Sequence, residues 1–334
     1  MAGTDAATVP VEDILARERT SKPRVGLAAL AAAVLAVLAG VLPQAIYSDF
    51  PRVFVLDAVR DAAGESIGRE GLRTAQILFI DDHALSLLLV AVAQAATAVL
   101  IGVLLVFLFD ASVARGAATP RIARLLALLG SGATALSAVV LQVAVMISAS
   151  DFASSSDHST AAAHDALRGG VVVAASGLGF FGSISVAAAF VLITIGAMRV
   201  GLLTRFLGVL GAIVGALILL GPLSGSPTFI VQAFWLAMMG ALLLGKFPRN
   251  IPPAWTSGEA MPWPTQQELR EERGRGRADS GGGGFGGFGG FGRGRLGPSP
   301  SPSPAPPAPS APAGPSSEAP SPATSARKKR KRRG

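Results

Sequence analysis

The chain has 334 residues, of which 50% are hydrophobic and only 15% charged, with a formal net charge of +8. Soluble domains carry about 25% charged residues, so this balance, with a mean hydropathy of +0.51, excludes an ordinary soluble domain. The chain has no cysteine, which excludes disulfides, thiolate metal sites and a cysteine nucleophile.

Residues 1–24 are polar and mixed in charge, and read as a short cytoplasmic segment. Uncharged, Ala/Leu/Val-rich runs then cover 25–47, 84–109, 125–148 and 170–197. Each is long enough for the roughly 20 helical residues that cross a hydrocarbon core. Lipid admits only helices and closed barrels, and continuous apolar runs lack the alternation of a barrel strand. The first run has no small-x-small cleavage pattern after it and reads as an uncleaved anchor. Two shorter runs, 206–223 and 228–245, flank a segment whose Gly221, Pro222, Gly225 and Pro227 read as a tight turn. They read as spans five and six; the rival is one broken helix plus an interfacial one. The expected fold class is all-α: a polytopic transmembrane helix bundle of about six spans over 25–246, with a disordered C-terminal tail.

Loop 48–83 is too long for a mere connection. Val55, Leu56, Val59, Ala62, Ala63 and Ile67 fall on one helical face, and Asp57, Arg60, Asp61 and Glu65 on the other. That spacing suits a short helix lying on the membrane surface, or one packed on its own spans. With six spans, all but five of the 29 Lys and Arg share one side. The exceptions are Arg52, Arg60, Arg69, Arg73 and Arg168. The positive-inside rule then places both termini in the cytoplasm.

Residues 247–272 form a juxtamembrane segment, in which Trp255 and Trp263 are expected to pin the chain at the membrane interface. Residues 273–334 are Gly/Phe-rich, then Pro/Ser-rich, and end in the basic run RKKRKRR. No core can form from them, and we expect disorder. The partners expected are the bilayer itself and, for the basic run, anionic lipid headgroups, at about 1 kcal/mol per residue near the surface. Nucleic acid is the less favoured partner.

Few residues are available for chemistry. GLGFFG at 177–182 has the dinucleotide-binding spacing but lies in an apolar run with no acidic residue about 20 positions on, so a helix-contact role is expected instead. Gly208, Gly211 and Gly215 read as a close helix contact, within the chain or in a homo-oligomer. Gln94, Thr97, Thr134, Ser137, Ser183 and Ser185 recur near span middles, with Gln142 nearer one end. They line a polar path or bond between helices. No Asp, Glu, Lys, Arg or His falls inside the four long runs, which weighs against an ion-coupled pump. All three histidines sit beside carboxylates in the expected outer loops: Asp81, Asp82 and His83; Asp157 and His158; His164 and Asp165. Imidazole with carboxylate is a competent ligand set for zinc or a similar ion, so Asp81, Asp82, His83, Asp157, His158 and His164 are the candidate metal residues, although no known metal spacing is matched. No hydrolase, zincin or P-loop motif is present, and no cofactor is expected.

The stretches AMRVGLLTRFLGVLGAIVGAL (197–217), FIVQAFWLAMMGALLLG (229–245) and PPAWTSGEAMPWPT (252–265) resemble segments of uncharacterised polytopic membrane proteins of actinobacteria. These are similar to a bacterial domain-of-unknown-function family of six to seven spans. The resemblance covers roughly 25–270 and implies a bacterial cytoplasmic membrane protein, with no activity to carry over. The leading expectation is a non-enzymatic scaffold or sensor; the second is a carrier of a small neutral solute; the third is an outer-face metal protein. A polar cavity reaching Gln94 and Ser183 would favour the carrier. Convergence of His83, His158 and His164 would favour the metal site, and a dry bundle would favour the scaffold.

Overall fold

A computed structural model describes residues 10–65, 71–224, 228–247, 252–263, 268, 270 and 271. The expectations for the first nine residues, for Ile67 and Arg69, for Gly225 and Pro227 of the turn and for the tail from 273 lie outside the described residues, whereas Gly221 and Pro222, expected in that turn, lie inside the helix Arg205–Ser224. Among those described, every element is helical. In chain order they are α1 (Val11–Ile46), a short 3-10 helix (Tyr47–Asp49), α2 (Val55–Ala62), α3 (Thr74–Asp82), α4 (Ala84–Ala114), α5 (Ile122–Ser154), α6 (Thr160–Leu167), α7 (Gly170–Arg199), α8 (Arg205–Ser224), α9 (Thr228–Leu243) and α10 (Ala254–Ser257).

Four of these, α1, α4, α5 and α7, are long and apolar enough to cross a membrane, and α8 and α9 are shorter apolar helices. The surface supports that reading. Only 11% of the apolar window of α5 is buried, leaving Leu125, Leu128, Leu129, Leu136 and Ile147 exposed. Water-soluble monomers rarely expose contiguous apolar surface on that scale, whereas lipid requires it. Helix α1 also begins at Val11 rather than at the apolar boundary, so the polar stretch 11–24 is helical and continuous with the first apolar run. Pro23 and Pro43 lie inside it.

Six helices close a ring, in the order α1, α4, α5, α7, α8 and α9, with α9 returning to α1. Helices α4 and α7 also touch across it. Small residues set the seams. A Cβ added at Gly130 would stand 2.8 Å from the backbone nitrogen of Val186, and one at Gly182 would stand 2.7 Å from that of Thr134. Helices α5 and α7 therefore meet backbone to backbone, antiparallel, through reciprocal glycines. Gly208, Gly211 and Gly215 face Met198, Thr194 and Phe190 of α7. That glycine stripe is filled within the chain. The main core centres on Leu104, Leu105, Leu108, Phe190, Ile193, Trp235, Leu236 and Met239.

The two ends of the ring differ. One carries the start of α1, the end of α4, the turn after α7 and residues 252–263; it holds most of the described Lys and Arg and is called the basic end below. The other is a loop end. There Thr74 Oγ1 donates to the His158 carbonyl at 2.8 Å, and the Leu72 N–H donates to Thr160 Oγ1 at 3.1 Å. A small second core of Ile77, Ala149, Phe152 and Ala163 ties α3 and α6 to α5.

Candidate functional site

A cavity of about 320 Å³ lies where the six helices converge. That is near the lower limit for a small-molecule pocket, roughly 300 Å³. Its apolar wall is Ala36, Ala39 and Gly40 of α1, Ala98 and Ile101 of α4, Val186 of α7, Ile218 of α8 and Phe229 of α9. Its polar groups are Gln94 and Thr97 of α4, Thr134 of α5, Ser183 of α7 and Gln232 of α9. Among the described residues no ionisable side chain lines it.

The polar groups divide by what they already bond. Thr97 Oγ1 donates to the Ala93 carbonyl at 2.8 Å, Thr134 Oγ1 to Gly130 at 2.9 Å, and Ser183 Oγ to Gly179 at 2.9 Å. Each hydroxyl hydrogen is used on its own helix, so these groups present only acceptor lone pairs to the cavity. No hydrogen bond to the Gln94 or Gln232 amide occurs among the described residues, and each amide brings two donors and an acceptor. The site therefore offers complementary donors and acceptors without charge. Phe229 lies across Gly40 at its wall, in a space that any side chain at position 40 would occupy. Of the mid-span residues marked in the sequence, Gln94, Thr97, Thr134 and Ser183 meet here. Ser137 instead donates to the Ala175 carbonyl at 2.7 Å, Ser185 to its own helix at 2.9 Å, and the amide nitrogen of Gln142 is buried without a partner among the described residues. Gln232 was not marked; its run read only as apolar, and one amide in it carried no spacing signal.

The six candidate metal positions do not come together. His83 caps the junction of α3 and α4, its ring stacked 4.1 Å from Phe79 and its Nδ1 3.0 Å from the Phe79 carbonyl. Asp81 and Asp82 end α3. The His158 ring packs on Phe152 at 5.1 Å. His164 sits on α6, half exposed, 3.7 Å from Asp165. Asp157 accepts the Ser159 N–H at 2.9 Å; that bond, with the Ser159 hydroxyl, holds its carboxyl below the usual range. Among the described residues no three His, Asp or Glu could hold a metal ion together. His83 and His158 pack on rings of their own helix neighbourhoods, and His164 stays beside Asp165, so the three imidazoles are held apart.

The basic end carries a second construction that the sequence did not announce. Arg115, at the end of α4, has no exposed side-chain surface and Glu18 of α1 only 9%. The guanidinium meets both carboxylate oxygens, at 2.5 and 2.8 Å. Its Nε donates to the Ala254 carbonyl at 2.9 Å, and Nη1 also to Ala111 at 3.0 Å. This fork-on-fork geometry satisfies a buried charge on every side. Trp255 sits beneath it: Lys22 Nζ lies 4.5 Å and Arg115 Cζ 5.3 Å from its ring centroid, and Phe107 stacks at 6.0 Å. The Trp255 indole N–H donates to the Leu202 carbonyl at 2.8 Å, and that of Trp263 to Leu203 at 2.8 Å. The two tryptophans thus dock residues 252–263 onto the turn after α7, with Trp255 buried in protein. Gly201 makes room for this, since any Cβ there would strike the Met261 carbonyl, and its φ of 78° suits glycine.

Comparison with protein-family models, curated proteins and solved structures finds no match to this chain.

Proposed function

We propose that the chain is a multi-pass protein of the bacterial cytoplasmic membrane, of about six spans with both termini in the cytoplasm, that carries a small uncharged, hydrogen-bonding solute through its central cavity. The observation that carries this reading is the convergence of the Gln94 and Gln232 amides with three hydroxyl acceptors in one uncharged cavity. A scaffold has no use for such a cavity, and a proton- or ion-coupled carrier would need an ionisable group in it. Small polyols, amides and ureas match the volume and the balance of donors and acceptors. The orientation rests on the basic residues at one end of the bundle, and bacterial origin on the resemblance of 197–217, 229–245 and 252–265 to actinobacterial membrane proteins.

The test is thermal stabilisation of the detergent-purified protein by a panel of such solutes, followed by uptake into proteoliposomes. We expect saturable uptake of at least one solute. Gln94→Leu removes one hydrogen-bonding group and should weaken apparent affinity roughly tenfold, the factor for a net loss of about 1.4 kcal/mol. Absence of stabilisation and uptake across the panel, with the variant indistinguishable from wild type, would reject the carrier and return the scaffold reading.

A further inference from the structure

We propose that α2 is an interfacial membrane anchor whose apolar face enters the lipid headgroup boundary beside the loop end of the bundle. This inference stands apart from the cavity and does not depend on transport.

The apolar side chains of this segment face away from the protein. Phe54 is 60% exposed, Val55 82%, Leu56 59% and Val59 60%. Val55, Leu56 and Val59 group together at helical spacing, with Phe54 just before the helix, whereas Asp57, Arg60 and Asp61 fall on the other side. A loop helix packed on its own spans would show the reverse, with its apolar face hidden and its charges outward. Something apolar must cover this face when the protein is in its working environment.

Three observations identify the cover as lipid. First, α2 is held at the rim. Tyr47, Phe50 and Phe79 form an aromatic cluster just past the apolar run of α1, with ring centroids 5.2 to 6.2 Å apart. Aromatic residues of this kind favour the membrane–water boundary. Gln76 Nε2 then donates to the Pro51 carbonyl at 2.9 Å, fixing the chain there. Val55, where α2 begins, follows four residues later, so even an extended link keeps the start of α2 within roughly 14 Å of that boundary. Second, the exposed apolar side of α1, through Leu38, Val41, Leu42 and Tyr47, leads toward this point. Third, the patch is small. Four such side chains offer roughly 250–450 Å² at the usual transfer coefficients, well short of the roughly 800 Å² per partner of a stable protein interface. A shallow lipid insertion has no such threshold. The polar side carries Asp57 and Asp61 against a single Arg60, so anionic headgroups give no electrostatic gain. The anchor works by apolar burial and holds in neutral lipid.

The chain has no cysteine, so single cysteines report without a background. Val55→Cys, Val59→Cys and Arg60→Cys in the full-length protein would each carry an environment-sensitive fluorophore in phosphatidylcholine vesicles. Leu89→Cys, on the exposed side of α4, and Glu65→Cys serve as lipid and water references. All five positions are exposed apart from any core, and a single symmetric gel-filtration peak selects folded material. We expect labels at 55 and 59 to match Leu89→Cys: blue-shifted emission, at least twofold more quenching by a nitroxide near the top of the acyl chain than the label at 60, and little quenching by iodide. Adding phosphatidylglycerol should leave the result unchanged. Quenching of 55 and 59 by iodide to the level of Glu65→Cys overturns the proposal. Shielding from both quenchers, with disulfide-linked dimers of unlabelled Val59→Cys, also overturns it and assigns the face to a second copy of the chain.

Discussion

At the residue scale the strongest local commitment is the Glu18–Arg115 pair. Its two members are buried and come from helices distant in sequence, and Arg115 donates as well to the Ala254 carbonyl. Taking two charges out of water costs several kcal/mol each, and only complete partnering offsets that cost. Removing one partner is therefore far worse than removing both. Glu18→Gln should destabilise the detergent-solubilised protein by about 3 kcal/mol, and Arg115→Met by about as much, because each strands or unbalances a buried group. The double variant should recover much of the loss. Thermal unfolding of the three variants checks this; additive losses would show that the pair does not act as a unit. None of this was legible in the sequence. Arg115 read as one more basic residue in a loop and Glu18 as part of a polar leader, because an ion pair across 97 positions leaves no spacing signature. The tryptophans were legible as anchors but not as to what they anchor. An indole N–H needs an acceptor wherever it is buried, and only the fold shows that the acceptors are the Leu202 and Leu203 carbonyls.

At the scale of elements, the seam between α5 and α7 is set by absent side chains. Gly130 and Gly182 let the two backbones meet, and Ser137 donates across the same seam to the Ala175 carbonyl. Gly182→Ala would put a methyl group 2.6 Å from Thr134 Oγ1 and 2.7 Å from the backbone of Thr134. Backbone cannot rotate away as a side chain can, so the helices must part. We expect a loss of about 1–3 kcal/mol, the range for overpacking, read as a lower thermal midpoint. The same change at Gly177, which has open space around it, should stay within about 0.5 kcal/mol. The sequence was most informative at this scale. Apolar runs place helices because lipid leaves the backbone no alternative, and glycine in such a run marks a close contact. Which helix fills the contact is a property of the ring and not of the run. The stripe at 208, 211 and 215 was equally consistent with a neighbouring chain until α7 occupied it.

At the scale of the whole molecule, charge and cavity give a single arrangement. The proposed arrangement, six spans with the basic end inward, predicts residues 252–263 in the cytoplasm and α2 outside. A fluorescent-protein fusion at the C-terminus should glow and an alkaline phosphatase fused there should be silent; the phosphatase fused after Glu65 should be active. The reverse pattern would invert the molecule and, with it, the side on which solute enters. The cavity was half legible. Four of its five polar residues were marked in the sequence as mid-span polar groups, since a polar side chain is conspicuous against an apolar run. Their convergence was not, because helix phase over twenty residues fixes a face only relative to neighbours the sequence does not name. The histidine–carboxylate pairs were legible only as pairs: His164 lies beside Asp165, while His83 and His158 pack on Phe79 and Phe152, and among the described residues no three such groups meet.

The docked segment also sets an order of events. A ribosome delivers α1 and α4 long before residue 252, so Glu18 and Arg115 can meet while the Ala254 carbonyl and the Trp255 ring have yet to be made. The buried charge is fully enclosed only once synthesis has passed the last helix and the chain has folded back over it. Closure of the basic end thus cannot precede synthesis of residues 252–263, and a chain stalled before that point lacks the Ala254 carbonyl and the Trp255 ring that complete the enclosure of Arg115.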